Sequence, residues 1–234
     1  MVLAAGRGER MRPLTDHTPK PLLPVQGRAL LDWHIAALLR DGVAQVLINT
    51  AWLGAHIAQH LDATWRGSPL QLRYSHEQDD FGHALETAGG IARALPQLPP
   101  VFWLAAGDVF VPDFVFDPAA HAAFAASADL AHLWLVPNPA HHPQGDFGLA
   151  AGRALNLPAD SSMPRYTYST IGLFKAALFS APWCALAPGN PTGQAAPLAP
   201  LLRRAMDAGR VGASLYTGRW TDVGTPQRWA ELQQ

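Results

Sequence analysis

Residues 3–24 read LAAGRGERMRPLTDHTPKPLLP. A short apolar stretch breaks into Gly6 and Gly8, three arginines and one lysine follow, and prolines stand on both sides of the lysine. Glycine lets backbone N–H groups close on an anion, so a strand running into such a loop is the form of a phosphate cradle. Two common cradles do not fit. No Gly-Lys-Ser/Thr follows the glycines, as a Walker loop needs, and Met11 stands where the third glycine of a dinucleotide fingerprint would help strand pack on helix. Instead Pro13, Thr18, Pro19 and Pro21 predict an extended arm that carries Arg10 and Lys20 back over the loop.

Outward from this loop, strand and helix patterns alternate. Val2 to Ala5 is a strand stub, and Leu31, Ile35, Leu38 and Leu39 mark a helix over 30–40 that Asp41 and Gly42 close. Strands are predicted at 45–49, 70–75, 101–105 and 130–136, with helices around 56–61, 87–95 and 119–126. Such alternation gives an α/β fold, a Rossmann-like three-layer α/β/α sandwich with a mainly parallel mixed sheet, whose ligands bind at the carboxyl ends of the strands. After Pro137 the strands shorten, at 146–151, 166–174 and 212–216, with one helix at 198–208. The proline-rich stretch 181–200 reads as an irregular surface excursion. No linker divides the chain, so 1–234 is expected to be one domain in two parts, 1–137 and 138–234.

Composition excludes several classes. The formal net charge is -1 and charged residues make up 15% of the 234, so no basic field is present to hold a nucleic acid. Phosphate binding must be local. A single cysteine, Cys184, permits neither an internal disulfide nor a cysteine zinc site and fits a reducing compartment. With no signal peptide and no apolar run of membrane-spanning length, a cytoplasmic protein without a membrane partner is expected. Only Lys20 and Lys175 are lysines among 17 basic residues, which singles out Lys20 as a place where a compact ammonium is needed. Other features read as structural. His141 and His142 are adjacent and would face opposite ways, Trp33, Trp52 and Trp103 lie in apolar patterns that suggest core, and Glu77, Asp79 and Asp80 suggest a solvated acidic turn.

The pattern Leu3, Ala4, Ala5, Gly6, Gly8, Arg10, Met11, then Pro13, Leu14, Thr15, then Pro19, Lys20, Pro21 resembles the signature of sugar-phosphate nucleotidyltransferases. The resemblance extends through Glu86, Thr87, Gly89 and Gly90, the Gly107–Asp108 turn, and the run from Trp220 to Pro226. Within the family, WLGAHIAQHL, NPAHHPQGDFGL and YTYSTIGLF look most like the branch that uridylylates N-acetylmuramic acid 1-phosphate in cell-wall sugar recycling.

This resemblance implies the nucleotide-diphospho-sugar transferase fold and transfer of UMP from UTP to a sugar 1-phosphate, with release of pyrophosphate. Nucleophile and electrophile are both anions, so positive charge must offset their repulsion before in-line attack. The implied catalytic residues are Arg10, Lys20 and Asp108. Leu3, Ala4, Ala5, Gly6, Gly8, Glu9, Arg10, Lys20, Asn49, Glu77, Glu86, Gly89 and Gly107 are implied for the nucleotide. Asp146, Gly148, Tyr168, Ser169 and Gly172 are implied for the sugar, in the 138–234 part. Asp108 and Asp222 resemble the aspartates that hold Mg²⁺, which takes one or two carboxylates with water and substrate phosphates. Thymidylyl-, guanylyl- or cytidylyl transfer to another sugar 1-phosphate or to phosphocholine remains an alternative, as does a nucleotide-binding regulatory protein without turnover. Monomer and homodimer are both open. Two departures stand out. Ala106 occupies a position where relatives often carry Asn, and the first strand begins so abruptly that its edge is expected to be weakly anchored.

Overall fold

In the computed structural model, which describes residues 1–233, the apolar triplet ahead of the glycines, Val2–Ala4 (β1), lies inside the sheet with a strand on either side. It is followed by a hairpin of Pro24–Val25 (β2) and Arg28–Ala29 (β3), then Leu30–Arg40 (α1), Gln45–Thr50 (β4), Gly54–Thr64 (α2) and Gln71–His76 (β5). Next come Glu77–Phe81 (α3), Glu86–Ala94 (α4), Val101–Ala106 (β6), Val109–Phe110 (β7), Pro118–Ala126 (α5) and Ala131–Val136 (β8). The remainder is Phe147–Ala150 (β9), Arg153–Leu155 (β10), Arg165–Lys175 (β11), Ala199–Asp207 (α6), Val211–Leu215 (β12), Thr221–Asp222 (β13) and Pro226–Glu231 (α7).

Nine strands form one sheet in the order β5-β4-β1-β6-β11-β8-β12-β10-β9, and all but β11 and β10 run the same way. The strands of both parts of the chain therefore share one sheet. The central strands are apolar on both faces because both are covered. In β8, Ala131, Leu133 and Leu135 join the cluster under α4 and α6, while Trp134 packs into the cluster that holds α1, α2 and α5. The helical stripe foreseen at 30–40 is α1, whose Leu31, Ile35 and Leu38 are buried and which Gly42 terminates at φ 83°.

Three expectations are corrected. The first strand is not a weak edge. Parallel crossovers place β4 and β6 beside it, with Val2 paired to both Ile48 and Ala105. The acidic stretch at 77–80 is the short helix α3, in which Asp79 and Asp80 are solvated as expected but Glu77 is fully buried because its carboxylate accepts hydrogen bonds inside. The proline-rich stretch 181–200 is irregular but packed, since Cys184, Asn190 and Leu198 are buried and Ala196 exchanges backbone hydrogen bonds with Leu85 and Ala88. Lys175 has a structural role, its ammonium donating to the carbonyls of Ala125 and Ser127 at the end of α5.

Candidate active site

The loop after β1 opens at the carboxyl ends of the parallel strands, as the topology requires. Gly8 adopts φ 67°, which favours glycine, and an added Cβ would lie 3.1 Å from the Thr15 methyl and 3.2 Å from Lys20 Cβ. The proline-bearing arm folds back onto the loop but is not extended as expected: turns fill 12–17 between two short 3-10 turns, Glu9–Met11 and Lys20–Leu22, with the Thr15 hydroxyl donating to the Gly8 carbonyl at 2.8 Å.

Two of the three arginines are held by neighbours, Arg7 and Arg12 sharing Asp16 at 3.5 and 2.7 Å. Arg7 donates to the Thr15 carbonyl at 2.9 Å and lies over the Trp52 ring at 3.7 Å, an arrangement worth about 0.5–2 kcal/mol. Trp52 is therefore a platform for Arg7 rather than the core residue expected. Arg12 pairs with Asp16 at 2.7 Å. Arg10 is exposed, has no hydrogen-bonding side-chain partner among the described residues, and lines a cavity of about 380 Å³ with Gly6, Gly8, Glu9, Lys20, Asp108 and Gly224. It is the arginine left available for an anion.

Lys20 is 8% exposed, and its ammonium donates to Oδ2 of Asp108 at 2.5 Å. Asp108 follows β6, and Val109 is anchored from below by His34 of α1, whose Nε2 lies 2.9 Å from the Val109 carbonyl. Burial lowers the pKa of His34, so the ring is neutral with its hydrogen on Nε2. Asp222 arrives from the other end of the chain. The ribbon of β7 and β13 pairs Asp222 with Val109, and Val223 N–H donates to the Asp108 carbonyl at 3.0 Å. Asp222 Oδ1 accepts from Arg228 at 2.5 Å and meets His141 Nε2 at 2.8 Å. Oδ1 of Asp108 and Oδ2 of Asp222 accept no hydrogen bond among the described residues.

Two more cavities continue from this point. One of about 360 Å³ shares Gly6, Lys20 and Asp108 with the first and adds Leu3, Ala4, Ala5, Asn49, Glu86 and Thr87. Another of about 540 Å³ shares Leu3, Glu86, Thr87 and Ala106 with that one and runs on to Asp146, Tyr168, Thr170 and Leu198. Ala106 sits where the two meet, its small side chain leaving the passage open. Together the three make one trough, with its cations at one end and apolar walls at the other.

Several expected contacts are turned inward instead. Glu77 is 0% exposed and lines none of the three cavities; its Oε1 accepts from Asn49 Nδ2 at 2.7 Å and its Oε2 from Leu85 N–H at 2.7 Å. Burial pushes its carboxyl up, partly offset by those two hydrogen bonds. Asn49 reaches the trough, but its Oδ1 accepts from Ala4 N–H at 3.0 Å, so both ends of the amide are engaged. The pair is a strut beneath the loop. An added Cβ on Gly89 would stand 2.6 Å from the Gln194 carbonyl and one on Gly90 2.5 Å from Glu77 Oε1, so both are glycine for packing. Gly107 continues the β1 pairing, its N–H donating to the Leu3 carbonyl.

On the sugar side, Asp146 lines the trough while its Oδ2 accepts from Tyr168 N–H at 2.8 Å. Tyr168 lines it too, and burial without a hydrogen-bond partner drives its hydroxyl pKa well up. Ser169 is 1% exposed and spends its hydroxyl on the Trp134 carbonyl; Gly148 and Gly172 face Leu157 and Phe174. Thr170 also reaches the trough, presented by a bulge in β11 between Tyr168 and Gly172 with φ 64°. Thr170 and the wall formed by Pro197, Leu198 and Leu202 escaped the sequence reading. A β-branched residue between two expected contacts gives no signal of a bulge.

Residues 1–154 match the family model described as Nucleotidyl transferase. The chain is 43% identical, over its whole length and 96% of the relative, to the N-acetylmuramate alpha-1-phosphate uridylyltransferase of Neisseria meningitidis serogroup B. It is 30% identical, over 97% of its length and 92% of the relative, to the enzyme of the same name from Caulobacter vibrioides. Among solved structures it resembles a Bacillus anthracis protein assigned as a glucose-1-phosphate thymidylyltransferase, with TM-score 0.81, 17% identity and coverage of 99% of this chain and 92% of that one. The inositol-1-phosphate CTP transferase of T. maritima matches with TM-score 0.73 and 16% identity over 100% of this chain and 95% of that one. These two likenesses establish the fold.

Proposed function

The chain belongs to the nucleotidyl transferase family, and from that premise we propose that it transfers the uridylyl group of UTP to N-acetylmuramic acid 1-phosphate, giving the UDP-sugar and pyrophosphate. A phosphate oxygen of the sugar attacks the α-phosphorus in line, and the bond from that phosphorus to the bridging oxygen of the β-phosphate breaks. No covalent enzyme intermediate is needed, because the nucleophile is already ionised. Catalysis is then positioning and charge stabilisation. The observation that carries the reading is the junction at Lys20 and Asp108, a buried ammonium on a half-exposed carboxylate where the cation-lined cavity meets the next.

In this reading 1–137 serves the nucleotide and 138–234 the sugar, within one functional unit. The loop from Gly6 to Arg10 cups the triphosphate, Arg10 meets the departing β and γ oxygens, and Lys20 bridges the α-phosphate and the incoming phosphate. Leu3, Ala4, Ala5 and Glu86 flank the nucleoside, with Asn49 and Glu77 supporting them from behind. The long apolar wall suits the acetyl and lactyl groups of the proposed sugar, with Asp146, Tyr168 and Thr170 beside its hydroxyls.

The two aspartates fit a Mg²⁺ ion, since each keeps one carboxylate oxygen without a hydrogen bond. Among the described residues no three His, Cys, Asp or Glu side chains converge on a metal, so Asp108 and Asp222 would hold the ion with water and substrate oxygens completing its shell. Bound there, the ion would neutralise phosphate charge. Pyrophosphate release tests the proposal, with UTP offered alongside N-acetylmuramic acid 1-phosphate, N-acetylglucosamine 1-phosphate or glucose 1-phosphate. The first is expected to give the highest kcat/KM. No release with any nucleoside triphosphate would remove the proposal.

A further inference from the structure

The stretch from Thr221 to Trp229, TDVGTPQRW, contains more than a metal-binding aspartate. Arg228, with a side chain only 13% exposed, donates through Nη1 to Asp222 Oδ1. Two neighbours fix the guanidinium there. Thr225 caps α7, its Oγ1 accepting from both the backbone N–H and the Nε of Arg228 at 3.4 Å. Gly224 clears the space, because a Cβ at that position would overlap Arg228 Nη2 and stand 3.0 Å from Asp222 Oδ2. The φ of Gly224 lies outside the left-handed region, so the backbone does not require glycine. Its small size is needed for the guanidinium. His141, reaching over from the loop before β9, places its Nε2 2.8 Å from Oδ1 and 2.5 Å from Arg228 Nη1, so the arginine is shared between the carboxylate and the imidazole. Both groups gather at Oδ1, and Oδ2 accepts no hydrogen bond among the described residues.

Resting on the reading of Asp222 as a cation ligand, we infer that Arg228 is a positioning residue that grips Oδ1 so that Oδ2 is presented to the divalent ion, and that Gly224 exists to admit it. Mg²⁺ demands near-ideal octahedral geometry and tolerates a swinging carboxylate poorly. Groups hydrogen-bonded to a metal-ligating carboxylate typically contribute about 10–100-fold to metal affinity. Lysine at 228 would be a poor substitute, since an ammonium lacks the planar fork that lets one guanidinium bond Thr225 and Asp222 at once.

The test is UTP binding by calorimetry without the sugar substrate, in excess EDTA and then in saturating Mg²⁺, for wild type, Arg228→Ala, Gly224→Ala and Asp222→Ala. The readout is the magnesium-dependent gain in UTP affinity. Wild type should show a gain, Asp222→Ala should lose it, and Arg228→Ala and Gly224→Ala should each lose about 10-fold or more of it. UTP affinity in EDTA should stay within about 2-fold for Arg228→Ala, because the arginine acts on the carboxylate and not on the nucleotide. Gly224→Ala keeps the arginine and displaces its head group, while bringing a methyl to 3.0 Å from Asp222 Oδ2, so it covers the case in which Arg228→Ala disturbs α7. An unchanged or larger gain in both variants overturns the inference, as does a fall in EDTA affinity, which would make Arg228 a direct phosphate ligand. If Asp222→Ala leaves the gain intact, the metal reading of Asp222 fails instead.

Discussion

Asn49→Asp is an isosteric change whose effect is set by one short contact. Asn49 Nδ2 lies 2.7 Å from Glu77 Oε1 inside the protein, and Asn49 Oδ1 holds Ala4 N–H. The aspartate keeps the bond to Ala4 but places a second carboxylate oxygen against Glu77, whose pKa burial already raises. Two buried carboxylates in contact share a proton, and a shift of about 3–5 units for one of them corresponds to about 4–7 kcal/mol. The folded pair keeps a proton that the unfolded chain releases near pH 4, so the unfolded state binds fewer protons. Stability of the variant therefore falls as pH rises, by about 1.4 kcal/mol per unit, until the raised pKa is passed. A typical domain has about 5–15 kcal/mol to lose. Urea unfolding at pH 5 and pH 8 measures this, with the variant close to wild type at the lower pH and much weaker at the higher. Parallel wild-type and variant stabilities across that range would show that Asn49 and Glu77 are not the coupled strut described.

Lys20→Ala should lower kcat by about 100-fold or more, the scale for removing a preorganised charge stabiliser, in steady-state pyrophosphate release. Near wild-type turnover would refute its role. Arg10→Ala should raise the KM for UTP while leaving the urea midpoint unchanged, because Arg10 is exposed and has no hydrogen-bonding side-chain partner among the described residues. Arg7→Ala should do the reverse in part, lowering stability by about 1–2 kcal/mol through loss of the Trp52 stack and the Thr15 bond. Gly89→Ala should destabilise by about 1–3 kcal/mol, since its methyl meets the Gln194 carbonyl, and thermal unfolding reads this directly.

What was legible in the sequence was periodic or punctuated. The helix at 30–40 was read to the residue, because its stripe is regular and Asp41 and Gly42 stop it. β1 and β6 are apolar throughout, and the loop with its returning lysine is written in glycines and prolines. What escaped depended on contacts distant in sequence. Whether Glu77 faces water or Asn49 is decided by β4 packing beside α3, and nothing local to an acidic run reveals that. The two-residue strands β7 and β13 were invisible because each has only the other as partner. The irregular stretch 181–200 gave no period at all, yet its backbone covers Gly89 and its end walls the trough.

The position of β11 in the sheet has a consequence for synthesis. It is the antiparallel strand between β6 and β8, and it joins the wholly parallel β5-β4-β1-β6 set to the rest. A growing chain completes β6 at Ala106 and reaches β11 only at Arg165. β6 pairs with Ile171–Lys175 of β11, so at about 5–20 residues per second it waits for its second neighbour for about 3–14 s. During that interval VFWLAA is an open apolar edge on a nascent half-sheet, the kind of template that recruits a foreign strand. Slowing translation between residues 107 and 164 would lengthen that exposure without changing a single residue of the finished protein.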